Sequence, residues 1–272
     1  MRTEPSPDAS SDLSGNSGDR PDGIDLTMRR LRVTNAVLGL FHGVQAAIML
    51  IATNSRSLPV TGAFSNGPPG QPAGPTRLEQ LFSYRIGYAT AAFLLLSAFF
   101  HLLVASPIGF RGYRAELLAG RNRFRWLEYS LSASVMIVLI AGIVGISDVA
   151  ALLALFAVNA AMILFGWLME TTNTAGERVV WTPFVFGSIA GVTPWLCITI
   201  YIANANGDVP SFVYGILVSL FVLFNCFAVN QLLQYRANGR WCNYLYGERV
   251  YMWLSLIAKS ALAWQIFVNV LI

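Results

Sequence analysis

Lys259 is the only lysine in the chain; the other 17 of its 18 basic residues are arginine. It lies well inside an apolar run, 249–271, at a depth from which an amine cannot easily reach water. A charged group there costs several kcal/mol, so it needs a partner or a purpose. Three chemistries fit: a neutral lysine, a bare ion pair joining helices, or a Schiff base with an aldehyde. The last makes a buried cation and needs a carboxylate. Glu128 lies about one turn into another apolar run, 125–146. Helical side chains lean toward the N-terminus of their helix, which turns Lys259 toward the level of Glu128.

Other polar groups cluster at helical spacing around this pair. Ser255 precedes Lys259 by one turn, and Ser132 follows Glu128 by one turn. His42 and Gln45 share one helix face, and Ser97 and His101 share another. Asn159, Asn225 and Gln231 add amides at depth. Any one of these can bond a neighbouring carbonyl, but together they predict a polar interior. An elongated polyene would need a slot walled by aromatic rings and sulfur. Trp195, Phe221, Phe224, Phe227 and Trp264 offer such a wall, with Met136, Met162 and Phe165 opposite. Arg85, Asp148 and Glu170 sit near run ends, where snorkelling to water is the expected reading.

The elements that position these groups follow from composition. Of 272 residues, 55% are hydrophobic and 12% charged. That is too little charge to solvate a globule of this size, which excludes an ordinary cytosolic enzyme, a nucleic-acid binder and a disordered chain. Seven continuous apolar runs cover about 32–53, 81–105, 125–146, 149–169, 180–203, 211–234 and 249–271. Each is long enough to cross the hydrocarbon core as a helix, and none alternates as a strand would. The expected fold is an all-α membrane protein, a seven-transmembrane-helix bundle.

Arginine placement gives its expected orientation. Arg29, Arg30, Arg32, Arg111, Arg114, Arg121, Arg123, Arg125, Arg178, Arg236, Arg240 and Arg249 fall on one side, against Arg56 and Arg77, with Arg85 just inside the second run. The positive-inside rule then puts the N-terminus in the cytoplasm and the C-terminus outside, in the cell membrane. It also accounts for the net charge of +4 without an acidic partner. Residues 1–28 are expected to form a disordered cytoplasmic tail ahead of a membrane domain over 29–272. Within it, the Pro- and Gly-rich segment 54–80 is a long extracellular loop in which Leu58–Phe64 favours a short strand. Cys197, Cys226 and Cys242 have no metal or redox spacing and read as packing residues.

The run Leu254-Ser-Leu-Ile-Ala-Lys-Ser-Ala-Leu-Ala-Trp-Gln265 resembles the retinal-lysine helix of heliorhodopsins. So does Arg125-Trp-Leu-Glu-Tyr-Ser-Leu-Ser-Ala-Ser134, with its arginine three residues before the counterion carboxylate. Asn159-Ala-Ala-Met-Ile-Leu-Phe-Gly-Trp-Leu-Met-Glu170 is similar to the fourth helix of that family, and His42 and His101 fall where it places a histidine pair. The resemblance implies all-trans-retinal on Lys259, Glu128 as counterion, and Ser97 and Ser255 bonded near the Schiff base. It also implies a slow photocycle without ion transport, a strand-forming first loop, membrane lipid surroundings and a homodimer.

Pump relatives carry a second carboxylate four residues before the lysine, where this chain has Ser255. They also carry a proton donor at the position of Leu139. The expectation is therefore a photoreceptor, not an enzyme, in which a proton shifts transiently among Glu128, His42, His101 and water. A regulated or signalling membrane partner would receive the output. The competing readings are a light-driven ion transporter or channel, and a retinal-free transporter that uses the Lys–Glu pair as a gate.

Overall fold

The computed structural model describes residues 21–68, 70, 76–173 and 178–272. Seven helices among them are long and apolar enough to cross a membrane: α1 (Pro21–Ala52), α2 (Ile86–Ala105), α4 (Arg123–Ile143), α5 (Val149–Thr172), α6 (Thr182–Ala203), α7 (Ser211–Tyr235) and α8 (Tyr244–Ile266). A short helix, α3 (Pro107–Leu118), lies between α2 and α4, and α8 ends in a π-helical turn, Phe267–Leu271.

Local chemistry sets several of the boundaries. Ser106 caps α3 by accepting from the Gly109 N–H, with Pro107 in the first turn where no N–H is needed. Asn122 caps α4, Asp148 caps α5 and Asn243 caps α8, each accepting from backbone N–H groups that have no partner inside the helix. Asp148 is thus structural. At the far end of α8, the Asn54 amide donates to the carbonyls of Val270 (3.0 Å) and Leu271 (3.2 Å).

Three expectations change. Helix α1 begins at Pro21, so residues 21–28 are helical, where a disordered tail was expected; residues 1–20 lie outside the described residues. Met28 and Leu31 are buried, which gives this first part of α1 an apolar anchor. The second apolar run splits at Arg85: residues 81–85 belong to a strand, and α2 starts at Ile86. The last run extends back to Tyr244, which brings Glu248 into the helix.

The long first loop is a two-stranded antiparallel hairpin, β1 (Ser57–Ser65) with β2 (Thr76–Arg85), in a register from Ser57 opposite Arg85 to Ser65 opposite Thr76. An irregularity between Val60 and Thr61 breaks the ladder there. It turns Thr61 to the α4–α5 connection, where its N–H donates to the Ser147 carbonyl (2.8 Å) and the two hydroxyls meet at 2.9 Å. Val60 joins the core, and Leu58 and Tyr84 rest against Gly142. The hairpin is folded onto one end of the bundle.

Candidate functional site

Lys259 and Glu128 meet inside the bundle. Lys259 Nζ lies 3.0 Å from Glu128 Oε1, and both residues are 4% exposed. Ser255, one turn earlier on α8, accepts from the amine at 2.6 Å. Ser97 on α2 donates to Glu128 Oε1 at 2.6 Å. The Tyr129 ring supplies a further electron-rich surface, its centroid 4.8 Å from Nζ. That ring is fixed by its hydroxyl, which donates to the Tyr251 carbonyl at 2.9 Å. Three helices thus converge on one amine.

The amine faces an apolar cavity. Trp126, Tyr129, Met136, Met162, Phe224 and Phe227 line the part next to Lys259. The same walls of Trp126, Met162, Phe224 and Phe227 continue into a volume of about 480 Å³ between α5, α6 and α7, which Trp195, Phe221 and Gln231 also line. This size lies in the range of small-molecule pockets. Trp195 meets Phe221 and Phe224 edge to face, with centroids 5.4 and 5.6 Å apart. It follows Pro194, whose missing N–H interrupts the α6 ladder. Gly166, Gly187 and Gly191 are close-packed: a Cβ on them would strike Trp126, Phe165 or Met162.

Two expected wall residues stand elsewhere. Trp264 is 37% exposed and packs on Phe267, while Phe165 meets Phe186. Neither lines the cavity beside Lys259. Asn159 donates to Ser134 (3.0 Å), so its amide is engaged off the cavity wall. Gln231 donates to the Gly166 carbonyl (3.1 Å), and Asn225 to the Phe221 carbonyl (2.8 Å). Ser132 is buried, and its hydroxyl has no partner among the described residues.

His42 and His101 stack, with ring centroids 5.7 Å apart and planes 13° from parallel. His101 Nδ1 lies 2.7 Å from Asn35 Oδ1. Both ring nitrogens of His42, and both amide atoms of Gln45, are buried without partners among the described residues. Burying such groups dry is expensive, so this corner is a place for ordered water.

A second charged cluster was not foreseen. Arg125, counted above among the arginines that set the orientation, is buried and bridges Glu170 and Glu248. Its guanidinium lies between the rings of Trp126 and Tyr251, at 4.7 and 4.1 Å. Glu170 also accepts from the Trp126 indole (2.6 Å), the Asn122 N–H (2.9 Å) and the Tyr244 hydroxyl (3.1 Å). It does not snorkel; four donors hold it inside. Asn122 (2.7 Å) and Tyr113 (3.3 Å) complete the shell of Glu248, and Asn35 donates to the Tyr113 hydroxyl at 3.3 Å. A polar route thus runs from the histidine pair through Asn35 and Tyr113 to this cluster. One sequence signal would have found it: Glu248, Ser255 and Lys259 recur on one face of α8, as Arg125 and Glu128 do on α4.

A protein-family model described as heliorhodopsin matches residues 31–271. No curated protein matches the chain.

Proposed function

The chain belongs to the heliorhodopsin family, and from that membership we propose that it is a light-sensing membrane photoreceptor carrying all-trans-retinal on Lys259. The observation that supports this most is the buried amine at the mouth of an aromatic cavity, 3.0 Å from a single carboxylate. The residues fit the group: the cavity is apolar and walled by rings, and Lys259 is the one amine side chain in the sequence. When bound, retinal supplies the light-absorbing polyene, linked through a protonated Schiff base, whose isomerisation starts the response.

The other residues act around that linkage. Glu128 is the counterion, oriented by the Ser97 hydroxyl. Ser255 holds the nitrogen from the same helix. Trp126, Met162, Trp195 and Phe224 would wall the polyene, and Gln231 lines the same cavity. His42, His101 and Gln45 form a hydrated corner where a proton leaving the lysine nitrogen is kept. With Ser255 and buried Leu139 at the positions where pump relatives carry carboxylates, two steps of a carboxylate relay are missing. The proposed photocycle is slow and moves no net ion. Its setting is the cell membrane, with the N-terminus inside, as a homodimer that signals to a membrane partner.

Expression with added all-trans-retinal tests the reading. The wild type is expected to form a visible absorption band, and Lys259→Ala to lack one. A colourless wild type would return the Lys–Glu pair to a gating role in a retinal-free transporter. A band retained in Lys259→Ala would overturn the attachment site.

A further inference from the structure

The face of the bundle where α1 begins carries a basic patch that the cavity does not use and that helix packing engages only in part. Helix α3 lies along the first turns of α1. Arg114 pairs with Asp25 at 2.5 Å, and Arg32 donates Nε to the Ala105 carbonyl at 2.7 Å. The Arg32 guanidinium covers Phe110 at 4.8 Å, while Met28 and Leu31 pack in one cluster with Tyr113 and Leu117. Arg29 stands one turn after Asp25 and three residues before Arg32, on the strip of α1 that meets α3. On α3, Gly109, Tyr113 and Leu117 are buried, and Arg111 shares the opposite, exposed face with Arg114. Four arginines and one carboxylate therefore share this face, and only Arg114 is paired with the carboxylate. Among the described residues, neither Arg29 nor Arg111 has an ion pair or a side-chain hydrogen bond.

The outer face of α3 is also apolar at both ends. Ile108 is 89% exposed and Leu118 54% exposed, on either side of Arg111 and Arg114. With 12 residues, α3 reaches only about 18 Å, too short to cross a bilayer. It starts one residue after α2 ends, at the edge of a membrane span. Apolar ends flanking central arginines fit a helix lying in the interface plane. An acidic protein partner would satisfy the arginines but would not account for Ile108 and Leu118. A bilayer accounts for both.

We propose that Arg29, Arg32, Arg111 and Arg114 bind the phosphate headgroups of anionic phospholipids in the leaflet beside them, with α3 seated in the headgroup layer. Guanidinium forks match phosphate oxygens in pairs, and each arginine near an anionic surface adds to the attraction. The site stands whether or not retinal occupies the cavity.

Spin-labelled phosphatidylglycerol and phosphatidylcholine, compared by electron paramagnetic resonance on the full chain in phosphatidylcholine vesicles, measure the preference directly. The wild type should select phosphatidylglycerol about fivefold, the worth of roughly one well-placed arginine. High salt should remove most of that preference. Arg29→Gln/Arg111→Gln should bring it close to unity, with helical content by circular dichroism confirming the fold. Arg236→Gln/Arg240→Gln, removing exposed arginines from the α7–α8 turn, should leave it intact. Equal selectivity in wild type and the first variant overturns the site. So does an equal loss in both variants, which would mean diffuse charge.

Discussion

At the scale of single residues, the membrane interior makes rare groups legible and common ones ambiguous. Lys259 and Glu128 stood out because ionisable residues deep in apolar runs are few, and the structure brings them to 3.0 Å. Arg125 and Glu248 did not stand out, although they are equally buried. They fall at run ends, where hydropathy cannot separate an arginine that snorkels from one enclosed by carboxylates. Two predictions belong here. Glu128→Gln should shift the visible band of the retinal-loaded protein to the red, because a neutral amide no longer stabilises the ground-state cation. An unmoved band would assign the counterion elsewhere. Arg125→Leu should destabilise the protein by about 3–5 kcal/mol in thermal or denaturant unfolding, because Glu170 and Glu248 are left buried and unpaired. Adding Glu170→Leu and Glu248→Leu should recover much of the loss. If the triple variant is weaker still, the cluster is more than a matched set of charges.

At the scale of elements, the seven spans were readable and their edges less so. Hydropathy carries straight through Leu81–Tyr84 into α2, so the apolar run hid a change from strand to helix. What separates the two is the pairing of β2 with β1, a long-range contact. Helix α3 escaped notice because its apolar face is short and interleaved with arginines. The hairpin makes its own prediction. Tyr84 presses its hydroxyl against Gly142, and burial pushes its phenol up from 10.0 to about 12. The neutral phenol is the folded form. The stability it adds is therefore complete below pH 10 and is lost as the pH rises toward about 12. Tyr84→Phe should flatten that part of an alkaline unfolding profile. A second test concerns the cavity wall. A Cβ at Gly166 would collide with the Trp126 ring, and both residues line the cavity. Gly166→Ala should lower the ratio of visible to ultraviolet absorbance after loading with retinal. An undiminished ratio would show that Trp126 can move without narrowing the site.

For the whole molecule, the proposed lack of transport can be measured. Illuminated vesicles holding the retinal-loaded protein should show no sustained pH change sensitive to protonophore. A steady change would mean that water bridges the gap left by Ser255 and Leu139. The structure also distributes support unevenly among its helices. Helix α8 is held near both ends: Glu248 is locked to Arg125 at one, and Asn54 caps the last carbonyls at the other. Lys259 lies between these two anchors, on the best-supported beam of the frame. Helices α6 and α7 bury far fewer of their residues and bound the larger part of the cavity. A beam pinned at both ends yields little when pushed in the middle, so a change of shape at Lys259 is passed to the looser side. If the proposed photoreceptor role holds, output should leave through α6 and α7, and amide exchange of the retinal-loaded protein under illumination should quicken there before it changes in α8.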